Sequence, residues 1–311
     1  MGYYLKEKIC FWGNMRMRLL VNAFLVILGG CSFGLLAPIV KLGSLNGIAI
    51  ADSTRMQLFF GFILLAIINL FFVRYRLRPK TFIKLLLSGI PMGLTTTFIY
   101  KSLNYLDASI AIVLLFQYVW MGLVVELLIT KRAPTKEKLT AGLLILIGSL
   151  FAVNIFSTQV SHLPLLGIVW GLLAAVSFAT FIFVSGQVAT YVPPLRKSMM
   201  MALGGLLIIL VIYPPTDLAI GKIDGYFLLQ GLILGVFGGV LPPLLFSISM
   251  PVVGNALGTI LSSSELPTTV IFSAIILSEE ISIFQTIGIV LIVLAIVLAN
   301  APHLKLSRAV S

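Results

Sequence analysis

Residues 255–281 read NALGTILSSSELPTTVIFSAIILSEEI, an apolar run broken at its centre by Ser262, Ser263, Ser264, Glu265 and Pro267. A helix of about 20 such residues crosses the ~30 Å hydrocarbon core of a bilayer. The carboxyl group in the middle makes the solvent the first question. In lipid it would be costly, and in a membrane bundle an ionisable residue at that depth is a candidate site.

Composition answers the solvent question. The chain of 311 residues is 59% hydrophobic and only 10% charged, with a mean hydropathy of +1.13. Soluble domains carry about 25% charged residues, so this chain cannot clothe a water-facing surface. It reads as a polytopic membrane protein. The apolar runs are long and continuous, without ten-residue alternation, so they are helices rather than barrel strands.

Ten spans are expected: 19–43, 52–73, 82–104, 107–130, 139–157, 164–190, 195–213, 225–249, 255–278 and 283–301. The net charge of +11 is not gathered into a nucleic-acid patch. Basic residues fall in short clusters between runs, as in cytoplasmic loops. With the amino terminus inside, the inner segments hold Lys6, Lys8, Arg16 and Arg18, then Arg74, Arg76, Arg78, Lys80 and Lys84. Lys131, Arg132, Lys136, Lys138, Arg196, Lys197, Lys305 and Arg308 complete the inner set. Only Lys41, Arg55, Lys101 and Lys222 fall outside. Both termini are therefore expected in the cytoplasm, and the expected location is the cytoplasmic membrane of a bacterial cell.

The chain also repeats itself. CSFGLLAPIVKLG from Cys31 parallels VSFATFIFVSGQV from Val176, and STRMQLFFGFILL from Ser53 parallels PLRKSMMMALGGLL from Pro194. LTAGLLILIGSLFAVN ending at Asn154 parallels FQTIGIVLIVLAIVLAN ending at Asn300. Five spans per copy is an odd number, so the second copy enters the membrane from the opposite side. Inverted repeats of this kind place a transport site near the midplane. The expected fold is an all-α integral membrane protein of ten transmembrane helices in two inverted five-helix repeats. Its parts are a tail over 1–18, repeats over 19–157 and 164–301, a linker over 158–163 and a tail over 302–311.

With the segment SSSELPTTVIFSAIILSEEISIFQTIG and this five-plus-five plan, the sequence resembles the EamA branch of the drug/metabolite transporter superfamily. Pro267 in mid-span, Glu280 thirteen residues on and Gly288 in the last span carry the likeness. Leu266 separates Glu265 from Pro267, and Lys131-Arg132 stands where the first half would have an acidic turn, so the match departs there. The resemblance implies a secondary carrier for a metabolite, amino acid or drug, with no cofactor and no enzymatic reaction.

Glu265 lies ten residues into its span, about 15 Å at 1.5 Å per residue. There it must face the bundle, find a partner or remain protonated. A protonated Glu265 bonding a neighbouring helix is the bland reading, and a substrate and proton-coupling site is the functional one. Gln117 occupies the corresponding depth of the fourth span, and Trp120 shares its face at i+3. Ser262 and Thr269 share the face of Glu265, although hydroxyls in membrane helices commonly bond back to their own carbonyls. Glu126 is read as a solvated or ion-paired gate residue near the cytoplasmic interface, and Arg55 as an outer gate or a snorkelling cation. Gly238-Gly239 and Pro242-Pro243 are expected to break the eighth span. Five Gly-x3-Gly pairs (Gly30/Gly34, Gly89/Gly93, Gly167/Gly171, Gly235/Gly239 and Gly254/Gly258) read as close-packing faces. Cys10 and Cys31 have no metal or disulfide spacing, and no Walker loop or zinc-protease motif occurs.

The resulting expectation is a monomeric exporter of a small organic solute, seated between spans three, four, eight and nine. A passive facilitator or channel is the alternative, and a non-transporting scaffold the second.

Overall fold

The computed structural model describes residues 2–106, 108–131, 133–153, 164–214 and 224–308. Asp107, Arg132, the 158–163 linker with His162, Asp217 and Lys222 lie outside the described residues, as do the side chains before Met17 and after Asn300.

Among the described residues every regular element is helical: α1 (Gly2–Gly34), α2 (Leu36–Leu45), α3 (Ile50–Phe72), α4 (Pro79–Leu103), α5 (Ala108–Leu115), α6 (Tyr118–Thr130) and α7 (Lys136–Ala152). Then come α8 (Leu165–Gln187), α9 (Pro194–Ile212), α10 (Gly225–Leu234), α11 (Leu241–Val253), α12 (Asn255–Ser262), α13 (Glu265–Leu277) and α14 (Ile283–Arg308). Nine continuous helical runs among the described residues are long and apolar enough to cross a membrane. The expected fifth span is the 17-residue α7, shorter than these nine, and residues 154–163 beyond it are outside the described set.

Local chemistry explains the ends. Pro79 and Pro194 open α4 and α9 at positions where a missing N–H costs nothing. Asp224 caps α10, its carboxylate accepting from Phe227 N at 2.7 Å. Ser282 and Gln285 form a reciprocal capping box at the start of α14.

Two spans are split in mid-course. α5 gives way to α6 across Phe116-Gln117, and α12 to α13 across Ser263-Ser264. At both breaks the chain tightens to i→i−3 bonds, Gln117 N to Leu114 O and Val119 N to Phe116 O in one, Ser263 N to Ile260 O and Leu266 N to Ser263 O in the other. Pro267 accounts for the second break, since it cannot donate and crowds the carbonyl of Ser263. Both split spans also end alike, with a non-glycine residue in the left-handed region, Lys131 at φ 53° and Ser278 at φ 56°.

The eighth span is not severed at its glycines. It widens into a π-helical turn over Gly235–Val240 between α10 and α11, as happens where packing intrudes on a helix. The intruder is α3: a Cβ on Gly239 would sit 2.6 Å from Gly61 Cα. Elsewhere small residues likewise set the crossings. Cβ atoms on Gly89 and Gly204 would lie 1.9 Å from Met201 O and Leu86 O, so α4 and α9 touch backbone to backbone. α7 meets α14 in the same way, a Cβ on Gly288 lying 2.3 Å from Ala152 N.

Candidate functional site

Gly30 and Gly34 on α1 create the seat for the break in the ninth span. A Cβ on Gly30 would collide with Ser264 Oγ, and one on Gly34 would lie 2.5 Å from Glu265 O. Ser264 Oγ donates to Ile27 O at 3.0 Å, tying the break to α1. The start of α13 is thereby fixed, and Glu265 with it.

Glu265 lines a cavity of about 570 Å³ together with Thr269, Gln57 of α3, Met92, Thr95 and Thr96 of α4, and the rings of Phe33, Phe116, Phe178 and Phe181. That volume suits a small organic molecule. Glu265 Oε2 is buried and has no hydrogen-bond partner. Thr95, Thr96 and Thr269 donate to the carbonyls of Pro91, Met92 and Glu265 four residues back. All three threonines line the space, and a hydroxyl that donates can still accept.

The cavity opens at one end. Lys41, Ser44, Glu279 and Glu280 line its mouth and are exposed. Lys41 and Glu279 form an ion pair across it. The opposite end is solid. All of α12, Asn255 to Ser262, is buried beneath the floor, and Tyr118 lies fully buried beside it, its hydroxyl 3.4 Å from Ser262 Oγ.

Glu126 fastens that closed end. One carboxylate oxygen is 2.7 Å from Lys138 Nζ on α7, and the other accepts from Ala256 N at 2.6 Å at the head of α12. Asn255 Nδ2 donates to Gly122 O at 2.8 Å, and Gly122 leaves room for Thr259. Three elements, α6, α7 and α12, are joined through one side chain.

The residues singled out from sequence are therefore divided. Glu265 and Thr269 share the cavity. Ser262 lies under its floor, donating to Thr259 O at 3.0 Å. Gln117 and Trp120 do not reach the cavity. Gln117 Nε2 donates to Val113 O and its Oε1 accepts from Trp120 Nε1 at 3.0 Å, with Trp120 42% exposed on the outside of the bundle. The repeat gave their depth but not the face of the helix they occupy. Arg55 is buried at 8% exposure, its Nη2 3.3 Å from Asp52 Oδ1, and it lies off the cavity wall. The eighth span contributes nothing to the wall, while α1, α2 and α3 do. Gln57, Phe33, Phe178, Phe181 and the Thr95-Thr96 pair were not singled out. A glutamine within an apolar span and a threonine run were the available signals.

The chain matches a known family along most of its length. Residues 20–154 and 165–301 each match the model described as the EamA-like transporter family. No curated protein matches. A crystal structure described only as that of a protein is similar with a TM-score of 0.73, covering 88% of this chain and 98% of its own at 14% identity. That likeness concerns the fold alone.

Proposed function

We propose that this chain, which belongs to the EamA-like transporter family, is a secondary carrier exporting a small organic solute across the cytoplasmic membrane by alternating access. Family membership makes it a membrane transporter of small solutes; the direction, coupling and mechanism are our reading. The observation that carries it is a cavity open at one end, floored by Glu265 at a helix break and sealed at the other end by the Glu126 contacts. A channel needs a continuous path, and the burial of every α12 residue supports a carrier over a channel.

In this reading the ten spans form two inverted repeats, 19–157 and 164–301, with both tails in the cytoplasm. The double family match supports it. So do the paired breaks at Phe116-Gln117 and Ser263-Ser264 and the left-handed ends at Lys131 and Ser278, each pair separated by the same spacing. The open mouth then faces outward. Closing it while releasing α12 from α6 and α7 would expose the same floor to the cytoplasm, with the two breaks as bending points. Glu265 is the coupling group, a carboxyl that exchanges a proton for solute. Thr269 adds an orienting hydroxyl, Glu126 gates the inner end and Arg55 stiffens the outer one. The path lies inside one chain, so a monomer suffices.

Counterflow in proteoliposomes tests this. A carrier loaded with unlabelled solute accelerates entry of labelled solute, whereas a channel does not. A screen of metabolites and amines in which none shows trans-acceleration would refute the reading.

A further inference from the structure

The lining of the cavity also carries information about the charge of its occupant. We propose that the transported solute is an organic cation, an amine or quaternary ammonium with an apolar, ring-sized body, whose nitrogen sits at Glu265. This rests on the carrier reading for its transport meaning, while the recognition itself stands on the cavity.

The charges on the wall are unequal. Among the described residues, Glu265, Glu279 and Glu280 line it against a single ammonium, Lys41. Lys41 is already committed to Glu279, so among the described residues no cation remains on the wall to receive a solute anion. Two carboxyl groups are left over, one at the mouth and one at the floor. Glu265 has a buried oxygen without a partner. Gln57, only 5% exposed, lines the same space, and no hydrogen bond of its side chain is found among the described residues. Both groups can accept N–H donors.

The rest of the floor suits the body of such a molecule. Phe33 lies 5.8 Å from Phe178 and 6.4 Å from Phe181, centroid to centroid, and Phe178 and Phe181 are 6.2 Å apart. Ring faces attract cations and enclose apolar groups. A carboxyl group beside such a cluster selects positive charge over neutral or negative shapes of equal size. An anion would bring its charge into a poorly hydrated space with the wrong sign on the wall.

The test uses the purified full-length protein in nanodiscs and four probes of similar shape: 2-phenylethylamine, phenyltrimethylammonium, 2-phenylethanol and 3-phenylpropionate. Binding is measured by calorimetry. The amine and the quaternary ammonium should bind at least about tenfold more tightly than the carboxylate, the factor one charge-assisted contact supplies. Glu265→Gln should narrow that preference to about threefold or less. The ranking in the unaltered protein decides the matter even if Glu265→Gln fails to fold. Equal or tighter binding of 3-phenylpropionate overturns the inference, as does absence of amine binding up to millimolar concentration. Counterflow separates the two readings. Tight amine binding without any trans-acceleration sinks the carrier and leaves cation recognition standing. Trans-acceleration by an anionic solute, with no amine bound, does the reverse.

Discussion

Replacing Glu126 with Gln should loosen the closed end by a calculable amount. The Glu126 carboxylate meets Lys138 Nζ at 2.7 Å and Ala256 N at 2.6 Å, with both side chains of the ion pair about one-fifth exposed. Charge-assisted contacts of this kind contribute about 1.5–3 kcal/mol, against about 0.5–1.5 for neutral ones. Glutamine keeps the shape and a carbonyl acceptor, so each contact loses about 1 kcal/mol and the closed end about 2. At about 1.4 kcal/mol per factor of ten, the population open at that end rises about 30-fold while it remains the minority. Thr259 reports on it. It is fully buried in α12 against Gly122, so a cysteine there reacts only when the seal parts. In a Cys10→Ser, Cys31→Ser background, the maleimide labelling rate of Thr259→Cys should rise about 30-fold with Glu126→Gln. A change smaller than about threefold would mean that the seal is held by packing and that Glu126 is not its fastener.

Other outcomes follow from the crossings and the charge distribution. Gly89→Ala pushes a methyl group to 1.9 Å from the Met201 carbonyl, and should cost about 3 kcal/mol in detergent-solubilised thermal stability; Gly225→Ala, with nothing within 4 Å, should leave the melting temperature unchanged. The nearest atoms that a Cβ on Gly43 would meet are those of the Gln230 amide, whose Nε2 donates to Ile39 O at 3.2 Å. Gly43→Ala should lose about 1–2 kcal/mol alone and less than half of that in a Gln230→Ala background, as a double-mutant cycle reads. Topology reporters fused after Asn14 and at Ser311 should both read as cytoplasmic and one in the 214–224 loop as external; a carboxyl terminus outside would end the inverted-repeat reading.

Much of the fold is legible because lipid is a strict solvent. With 10% charged residues the chain has no alternative to burying its runs in a bilayer, and helices follow from the need to satisfy every amide. Pro267 announces the break beside Glu265, since proline removes a specific backbone bond. The matching break at Phe116-Gln117 has neither proline nor glycine within it, and depends on packing that one segment does not reveal. The eighth span shows the converse. Its glycines and prolines suggest rupture, yet close approach of Gly61 turns them into a π-helical turn. The site follows the same division. Glu265 stands out on burial cost alone, whereas Gln117 and Trp120 share its depth and miss its cavity, because position along a span does not fix rotation about it. Gln57 of α3, Phe33 of α1 and the Phe178-Phe181 turn of α8 come from three distant segments, and only tertiary packing brings them to one cavity.

Gradient-driven accumulation by wild type and Glu265→Gln, reconstituted side by side at saturating solute with and without a pH gradient, separates a coupling carboxyl from a structural one. The floor carboxyl as the coupling group predicts that the wild type concentrates solute against its gradient. Glu265→Gln should fall to the level of protein-free vesicles while Ser263→Ala, whose hydroxyl is satisfied at 2.6 Å by Ile260 O, behaves as wild type. Accumulation by Glu265→Gln equal to the wild type across the pH range would contradict the account and leave Glu265 a structural residue at a helix break.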